Sequence, residues 1–231
     1  TQAFSDGYWA MYDYNRGYHD ELESSGIMDI FRLPKFSYYF YQSQRDAAVA
    51  PMVKIASYWN ENSPLAVKVY SNADTVELWL NGKLVAKQTG DTGKDTEHLD
   101  NAPFTFNLEQ FEAGTLKAVA YVDGNEIAQH AVTTPGKAVG LKLWLDESGK
   151  PAAAGENDIL FLYAAAVDAD GTIVPDFDAS VTFDFDGDIE LLNVGGIKAE
   201  AGIATAVVQM GETSGDIFVK ANSKGFAPSG F

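Results

Sequence analysis

"TVELWLNGKLVAKQ", residues 75–88, decides the fold class. Apolar and polar residues alternate on both sides of Asn81-Gly82, a dipeptide that supplies the two positive φ angles of a type I′ turn. The stretch reads as a β-hairpin. "TLKAVAYVDGNEIAQHAVTT" (115–134) repeats the device with Asp123-Gly124 at the turn, and "LAVKVYS" (65–71) alternates in the same way. Beyond a linker, "TPGKA" (134–138), come "VGLKLWL", "DILFLYAAAVDADG", "ASVTFDF", "IELLNV", "GIATAVVQM" and "GDIFVKA". Short strands punctuated by Gly, Asn and Asp predict β-sandwiches rather than βαβ units. The expected class is mainly β, with two immunoglobulin-like β-sandwiches in tandem over residues 51–136 and 137–231.

Residues 1–50 follow a different rule. Twelve of the 29 aromatic residues fall in the first 41 positions. "GYWAMYDY" (7–14) reads as a strand in which nearly every side chain is bulky, the kind covered on both faces in a parallel sheet flanked by helices. Pro34 suits the first turn of a helix over about 34–47. Phe36, Tyr39, Phe40 and Ser43 share one face there, and Tyr38 and Tyr41 widen it, so the helix expects neighbours on more than one side. It is expected to pack on the first sandwich. Residues 4–15 are expected to pair with another copy of the chain or lie over a sheet, which makes a homo-oligomer an expected partner state.

Composition narrows the partners. A net charge of −17 argues against nucleic acid and anionic membrane surfaces. The absence of cysteine excludes disulfides and thiolate chemistry. The longest plain apolar run, "ILFLYAAAV" (159–167), falls far short of the roughly 20 residues that span a bilayer, so no membrane insertion is expected. The chain starts at Thr1 without a visible signal peptide, and a processed or truncated start is expected.

Residues 139–231 carry 15 Asp and Glu against 5 Lys. Asp184, Asp186 and Asp188 resemble the start of a calcium loop, but Ile189 and Gly195 stand where such a loop needs Gly and Glu. These acids read as turn chemistry and a solvated face. His19, His98 and His130 have no metal-site spacing, and "GIKAEAGIATA" (196–206) lacks the ending of a phosphate loop and reads as a turn between strands. Neither metal nor cofactor is expected.

Two tryptophans are out of pattern. Trp79 and Trp144 lie on the polar faces of their strands, opposite Val76, Leu78 and Leu80 in one case and Leu141, Leu143 and Leu145 in the other. They are either sugar-stacking platforms or cover at a junction between modules, and packing on a neighbouring element is the commoner use. The sharpest polar-aromatic group is Trp9, Tyr12, Asp13, Asn15, Arg16 and His19. It reads either as a carbohydrate site at the end of a barrel strand or as a loop in which Asp13 and Arg16 satisfy each other.

"WAMYDYNRGY" (9–18) followed by "SGIMDIFRLPKFSYYFYQSQRD" (25–46) resembles the end of the catalytic (β/α)₈ barrel of glycoside hydrolase family 2, the β-galactosidase family, and most of all its Bacteroides-type members. Trp9-x-x-Tyr12-Asp13-Tyr14 is similar to the W-x-x-F-D-Y of the family's last barrel strand, and "RLPKFSYYFYQSQ" to its last helix. "VKVYSNADTVELWLNGK" and "DILFLYAAAVDADGTIVPD" resemble the two modules that follow. Residues 1–50 would then be the end of the barrel.

The resemblance implies a retaining glycosidase whose two glutamates flank the bond about 5 Å apart. In the family both lie on earlier barrel strands, and Glu21 and Glu23 match neither, so no catalytic residue is expected in this chain. Trp9 is carried over as a floor under the sugar, with Asp13, Asn15 and Arg16 as further substrate-binding candidates. The expected function is a non-catalytic C-terminal accessory region of a β-galactosidase-like enzyme, with carbohydrate as the parent's substrate and a periplasmic or extracellular bacterial location. The alternatives are a stand-alone carbohydrate-binding or adhesion module using Trp79 or Trp144, and an interaction protein with residues 1–50 as a docking arm.

Overall fold

Of the 231 residues, the computed structural model describes 7–19, 21–147, 149–193 and 195–230. They divide into two compact units, with the boundary between Thr134 and Pro135. The chain is nearly all β, with one short helix among the described residues.

The bulky strand expected over residues 7–14 is not formed as such. Its backbone runs beside residues 27–28, with Ile27 N donating to Ala10 O at 3.2 Å, Met28 N to Met11 O at 3.0 Å and Asp13 N to Met28 O at 3.1 Å. Tyr12 and Met28 form a single parallel bridge. Strand β1 (Tyr14–Asn15) then pairs antiparallel with β2 (Leu22–Glu23). A strand exists only through its neighbours, and this run has a short one on one side. Tyr8, Trp9 and Met11 are consequently exposed. The expectation for residues 4–6 lies outside the described residues.

Helix α1 (Phe36–Gln42) is shorter than the sequence predicts. Pro34 precedes it rather than sitting in its first turn, and Lys35 is the N-cap, without a side-chain cap bond. At the other end Ser43 Oγ donates to Phe40 O at 2.7 Å, and Asp46 Oδ1 accepts from Ala48 N, so side chains draw residues 43–48 into turns. The helix does pack on the first sandwich. The rings of Phe40 and Tyr70 lie 5.7 Å apart, and those of Phe36 and Tyr58 lie 5.1 Å apart.

That sandwich has a three-stranded sheet, β3 (Val53–Ile55), β4 (Ala66–Ser71) and β7 (Phe104–Asn107), in the order β3-β4-β7. The facing sheet contains β5 (Thr75–Leu80), β6 (Lys83–Gln88), β8 (Thr115–Val122) and β9 (Asn125–Thr133), in the order β6-β5-β8-β9. Asn81 and Gly82 have φ of 50° and 77°, and Asp123 and Gly124 have φ of 50° and 76°, as both hairpin turns require. Alternation turns Val67, Val69, Phe104 and Phe106 inward from one sheet, and Val76, Leu78, Leu116, Ala118 and Ala120 from the other. Trp59 closes the core, its Nε1–H donating to Glu112 O at 3.1 Å.

The second unit is another sandwich. Its strands are β10 (Gly140–Asp146), β11 (Ile159–Val167), β12 (Ser180–Asp186), β13 (Ile189–Leu191), β14 (Ile197–Lys198), β15 (Ile203–Met210), β16 (Phe218–Ser223) and β17 (Ser229–Gly230). They form sheets of order β10-β11-β15-β13 and β14-β12-β16-β17. Leu160, Leu162, Val181, Val208 and Val219 fill the core beside Ala164, Ala166, Ala204 and Ala206. The acids of this unit divide by role. Asp168 is buried and accepts from the backbone N–H groups of Gly136, Thr172 and Asp170; the Gly136 bond leads in holding its carboxyl below the usual value, although burial opposes it. Asp188 accepts from Thr213 N, and Asp184 from Asn222 Nδ2.

Candidate functional site

The turn that follows Tyr12 positions the cluster singled out in the sequence. Asp13 is 6% exposed, and its Oδ1 accepts from Lys35 Nζ at 2.6 Å and from Gly26 N at 2.9 Å. Lys35 Nζ also donates to Ser24 O at 3.0 Å. These bonds fasten residues 24–26 and the start of α1 to the end of the aromatic run. Gly26 is obligatory here, because a Cβ would lie 2.3 Å from Asp13 N and 2.5 Å from Met28 O. Removing the ammonium would leave Asp13 buried with a single strong donor, a change that costs about 1–3 kcal/mol.

Trp9 stands on this base. Its Nε1–H donates to Tyr14 Oη at 3.0 Å, and the two rings meet edge-on at 87° with centroids 6.0 Å apart. The indole is nevertheless 72% exposed. A ring held by its edge and left open on its faces suits the apolar side of a pyranose.

Asn15 and Arg16 have local tasks. Asn15 Oδ1 accepts from Gly17 N at 2.7 Å, shaping the turn, and Arg16 pairs with Glu23 across the β1–β2 hairpin. His19 Nδ1 accepts from Glu21 N at 3.2 Å. Arg16, His19, Glu21, Leu22 and Glu23 line a shallow recess of about 230 Å³. The pairing of Asp13 with Arg16 that the sequence offered is not made, because Lys35, 22 positions further on, reaches Asp13 first. Lys35 and Gly26 were not singled out from the sequence as site residues, and Tyr14 stood there only as part of the Trp9-x-x-Tyr12-Asp13-Tyr14 resemblance. The Pro34-Lys35 pair marked the helix start but carried no sign of a carboxylate partner so distant in the chain.

The two out-of-pattern tryptophans differ. Trp144 stacks on Tyr163 with centroids 5.1 Å apart and planes at 28°, so one of its faces is covered within its own unit. Trp79 donates its Nε1–H to Glu77 Oε2 at 3.2 Å beside a concavity on the outer face of the first sandwich.

Comparison with known proteins accounts for this order of modules. Residues 143–230 match the model described as glycoside hydrolase family 2 C-terminal domain 5, and residues 62–128 match a domain of unknown function, DUF4982. A β-galactosidase of Thermoanaerobacter pseudethanolicus is 31% identical over 233 residues, covering 93% of this chain. This chain belongs to glycoside hydrolase family 2, in its C-terminal region. A second relative, β-galactosidase BoGH2A of Bacteroides ovatus, is 31% identical over 166 residues and 70% of the chain. The chain spans 31% of the length of the first relative and 18% of the second. A solved β-glycosidase of Bacteroides vulgatus superposes with a TM-score of 0.81 at 19% identity, over 96% of this chain and 30% of that one, and shares the fold. Within this family 2 chain, Trp144 falls inside the C-terminal domain 5 match and Trp79 inside the DUF4982 match, whereas Trp9 to Lys35 precede both.

Proposed function

We infer that this chain is a non-catalytic accessory region of a β-galactosidase-like family 2 enzyme whose parent cleaves O-glycosidic bonds by a retaining two-glutamate mechanism. The observation that carries the reading is Trp9, held at its edge by Tyr14 on a base locked by Asp13 and Lys35, with its indole open. In the parent it forms the floor under the sugar, and Asn15 and Arg16 shape the neighbouring loop. A retaining site needs two carboxylates about 5 Å apart, one of them unpaired enough to attack. Glu23 is engaged by Arg16, and Glu21 lies beside it on the exposed hairpin, so this pair makes a poor acid and nucleophile. The first sandwich braces residues 1–50 through α1, where Phe40 meets Tyr70 and Phe36 meets Tyr58.

The direct test is hydrolysis of p-nitrophenyl β-galactoside by the purified chain. No turnover above the buffer rate is expected. Turnover that persists in a Glu21→Gln, Glu23→Gln double variant would overturn the reading, because catalysis would then come from groups assigned here to support. In a longer family 2 enzyme carrying this region, Trp9→Ala is expected to lower kcat/KM by roughly tenfold or more.

A further inference from the structure

The outer face of the β6-β5-β8-β9 sheet in the first sandwich holds a concavity of about 400 Å³, lined in part by Glu77, Trp79, Lys117, Val119, Tyr121 and Glu126. Strand register creates it. Trp79 on β5 faces Lys117 on β8, Glu77 faces Val119, and Tyr121 on β8 faces Glu126 on β9. Val119 forms the floor and is only 5% exposed, although it lies on the side of the sheet away from the core. The rim is built from polar and aromatic side chains that fix one another. Glu77 accepts from Trp79 Nε1 at 3.2 Å, from Tyr121 Oη at 3.0 Å and from Lys87 Nζ at 3.2 Å. Lys87 Nζ also sits 4.2 Å over the Tyr121 ring. Burial alone would raise the Glu77 carboxyl, but the bonds from Lys87, Tyr121 and Trp79 together hold it below its ordinary value.

We propose that this concavity is a binding site for a neutral pyranoside, with Trp79 as the stacking platform and Lys117 and Glu126 as the hydrogen-bonding rim. The charges decide the ligand class. Glu77 is matched by Lys87, and Lys117 by Glu126, so the four charges sum to zero and favour neither an anion nor a cation. Lys117 and Glu126 take no hydrogen bond or ion pair among the described residues, which leaves both available to hydroxyl groups. Trp79 is pre-set by its bond to Glu77, so little side-chain freedom is lost when a ring stacks on it. The volume lies within the range of small-molecule sites, and an apolar floor with a few placed polar groups is their usual construction. A cavity of about 140 Å³ in the second sandwich contrasts with it: lined by Leu145, Leu160, Phe185, Met210 and other apolar side chains, it has nothing to orient a hydroxyl. Trp144, already stacked on Tyr163, is no equal platform.

The proposal rests on the reading of the chain as part of a carbohydrate-processing enzyme, yet its test is separate. The full chain, labelled with ¹⁵N, is titrated with methyl β-galactoside, cellobiose and galactobiose up to about 50 mM while the indole N–H signals are followed. The Trp79 signal is expected to shift saturably with at least one of these sugars, and that of Trp144 to stay in place. Trp79→Ala should weaken binding by roughly tenfold or more, the loss that corresponds to about 60 Å² of apolar contact. Lys117→Ala, an exposed change that leaves the core intact, should weaken it severalfold. No saturable shift, or an unchanged affinity in both variants, would overturn the site. So would concentration-dependent self-association that Trp79→Ala removes, since the face would then belong to a protein contact. Hydrolysis by the isolated chain would sink the accessory reading and leave this site standing, whereas silence of Trp79 in every titration would do the reverse.

Discussion

His130 illustrates how one side chain sets a pH limit. Its ring lies on β9, and Nδ1 accepts from Ile55 N at 3.3 Å, so the neutral form is the one the fold uses. Burial first, and the nearby Lys54 charge second, lower its pKa from 6.5 to about 4. Between those values the unfolded chain holds a proton that the folded chain does not, so lowering the pH favours unfolding. The first unit is expected to lose stability steadily as pH falls from about 6.5 towards about 4 and to be insensitive to this group above that window. Urea unfolding at several pH values measures the slope, and His130→Gln should flatten it. An unchanged slope in that variant would assign the acid sensitivity to other groups.

At the scale of elements, the β5–β6 hairpin depends on Asn81 for more than its turn. Asn81 Oδ1 accepts from Thr115 N at 2.9 Å, and Nδ2 donates to Glu112 Oε1 at 2.8 Å and to Ala113 O at 3.1 Å. The turn residue thus ties the hairpin to the start of β8. Asn81→Ala removes these bonds while keeping a left-handed φ, and is expected to cost roughly 2–3 kcal/mol. Gly82→Ala, with φ at 77° and nothing within 4 Å of a new Cβ, should cost only the backbone strain, about 1–2 kcal/mol. Chemical denaturation of both variants gives the ranking, and an Asn81→Ala chain as stable as the parent would mean that the side-chain bonds contribute nothing.

The hairpins were legible in the sequence because Asn-Gly and Asp-Gly act on their own residues. The run at 7–14 was not, because strand formation depends on a partner that no local pattern specifies. The site divides along the same line. Trp9 and Asp13 were readable as types, but Lys35 and Gly26, which fix Asp13, act across the chain. The length of α1 escaped for a local reason of another kind, since the Ser43 hydroxyl bonds back to Phe40 where periodicity sees only another helical position.

For the whole molecule, the division at Thr134 and Pro135 carries an expectation about folding. Thr134 is bonded within the first unit, its N donating to Gly114 O at 2.9 Å. Gly136 is bonded within the second, donating to Asp168 at 2.7 Å. Each flanking residue is therefore satisfied inside its own unit, and residues 137–230 contain a closed set of two sheets around one core. A fragment covering residues 135–231 is expected to unfold cooperatively, with a thermal midpoint within a few degrees of the same unit in the intact chain. Circular dichroism during heating tests this, and a broad, non-cooperative melt would show that the unit leans on the rest of the chain.

The join between helix and first sandwich has the opposite character. Gln44 Nε2 donates to Asn101 O at 2.8 Å while Gln44 Oε1 accepts from Asn101 N at 3.2 Å, so a side chain imitates one rung of a sheet. Asn72 Nδ2 donates to the carbonyls of Arg45 and Ala50, and its Oδ1 accepts from Met52 N. Recombination at residue 50, where the sequence changes style, would strip these amides of carbonyls that no foreign module is shaped to replace. A crossover after Thr134 spares all of these bonds, so a chimera that exchanges residues 1–134 as one piece is expected to keep its footing.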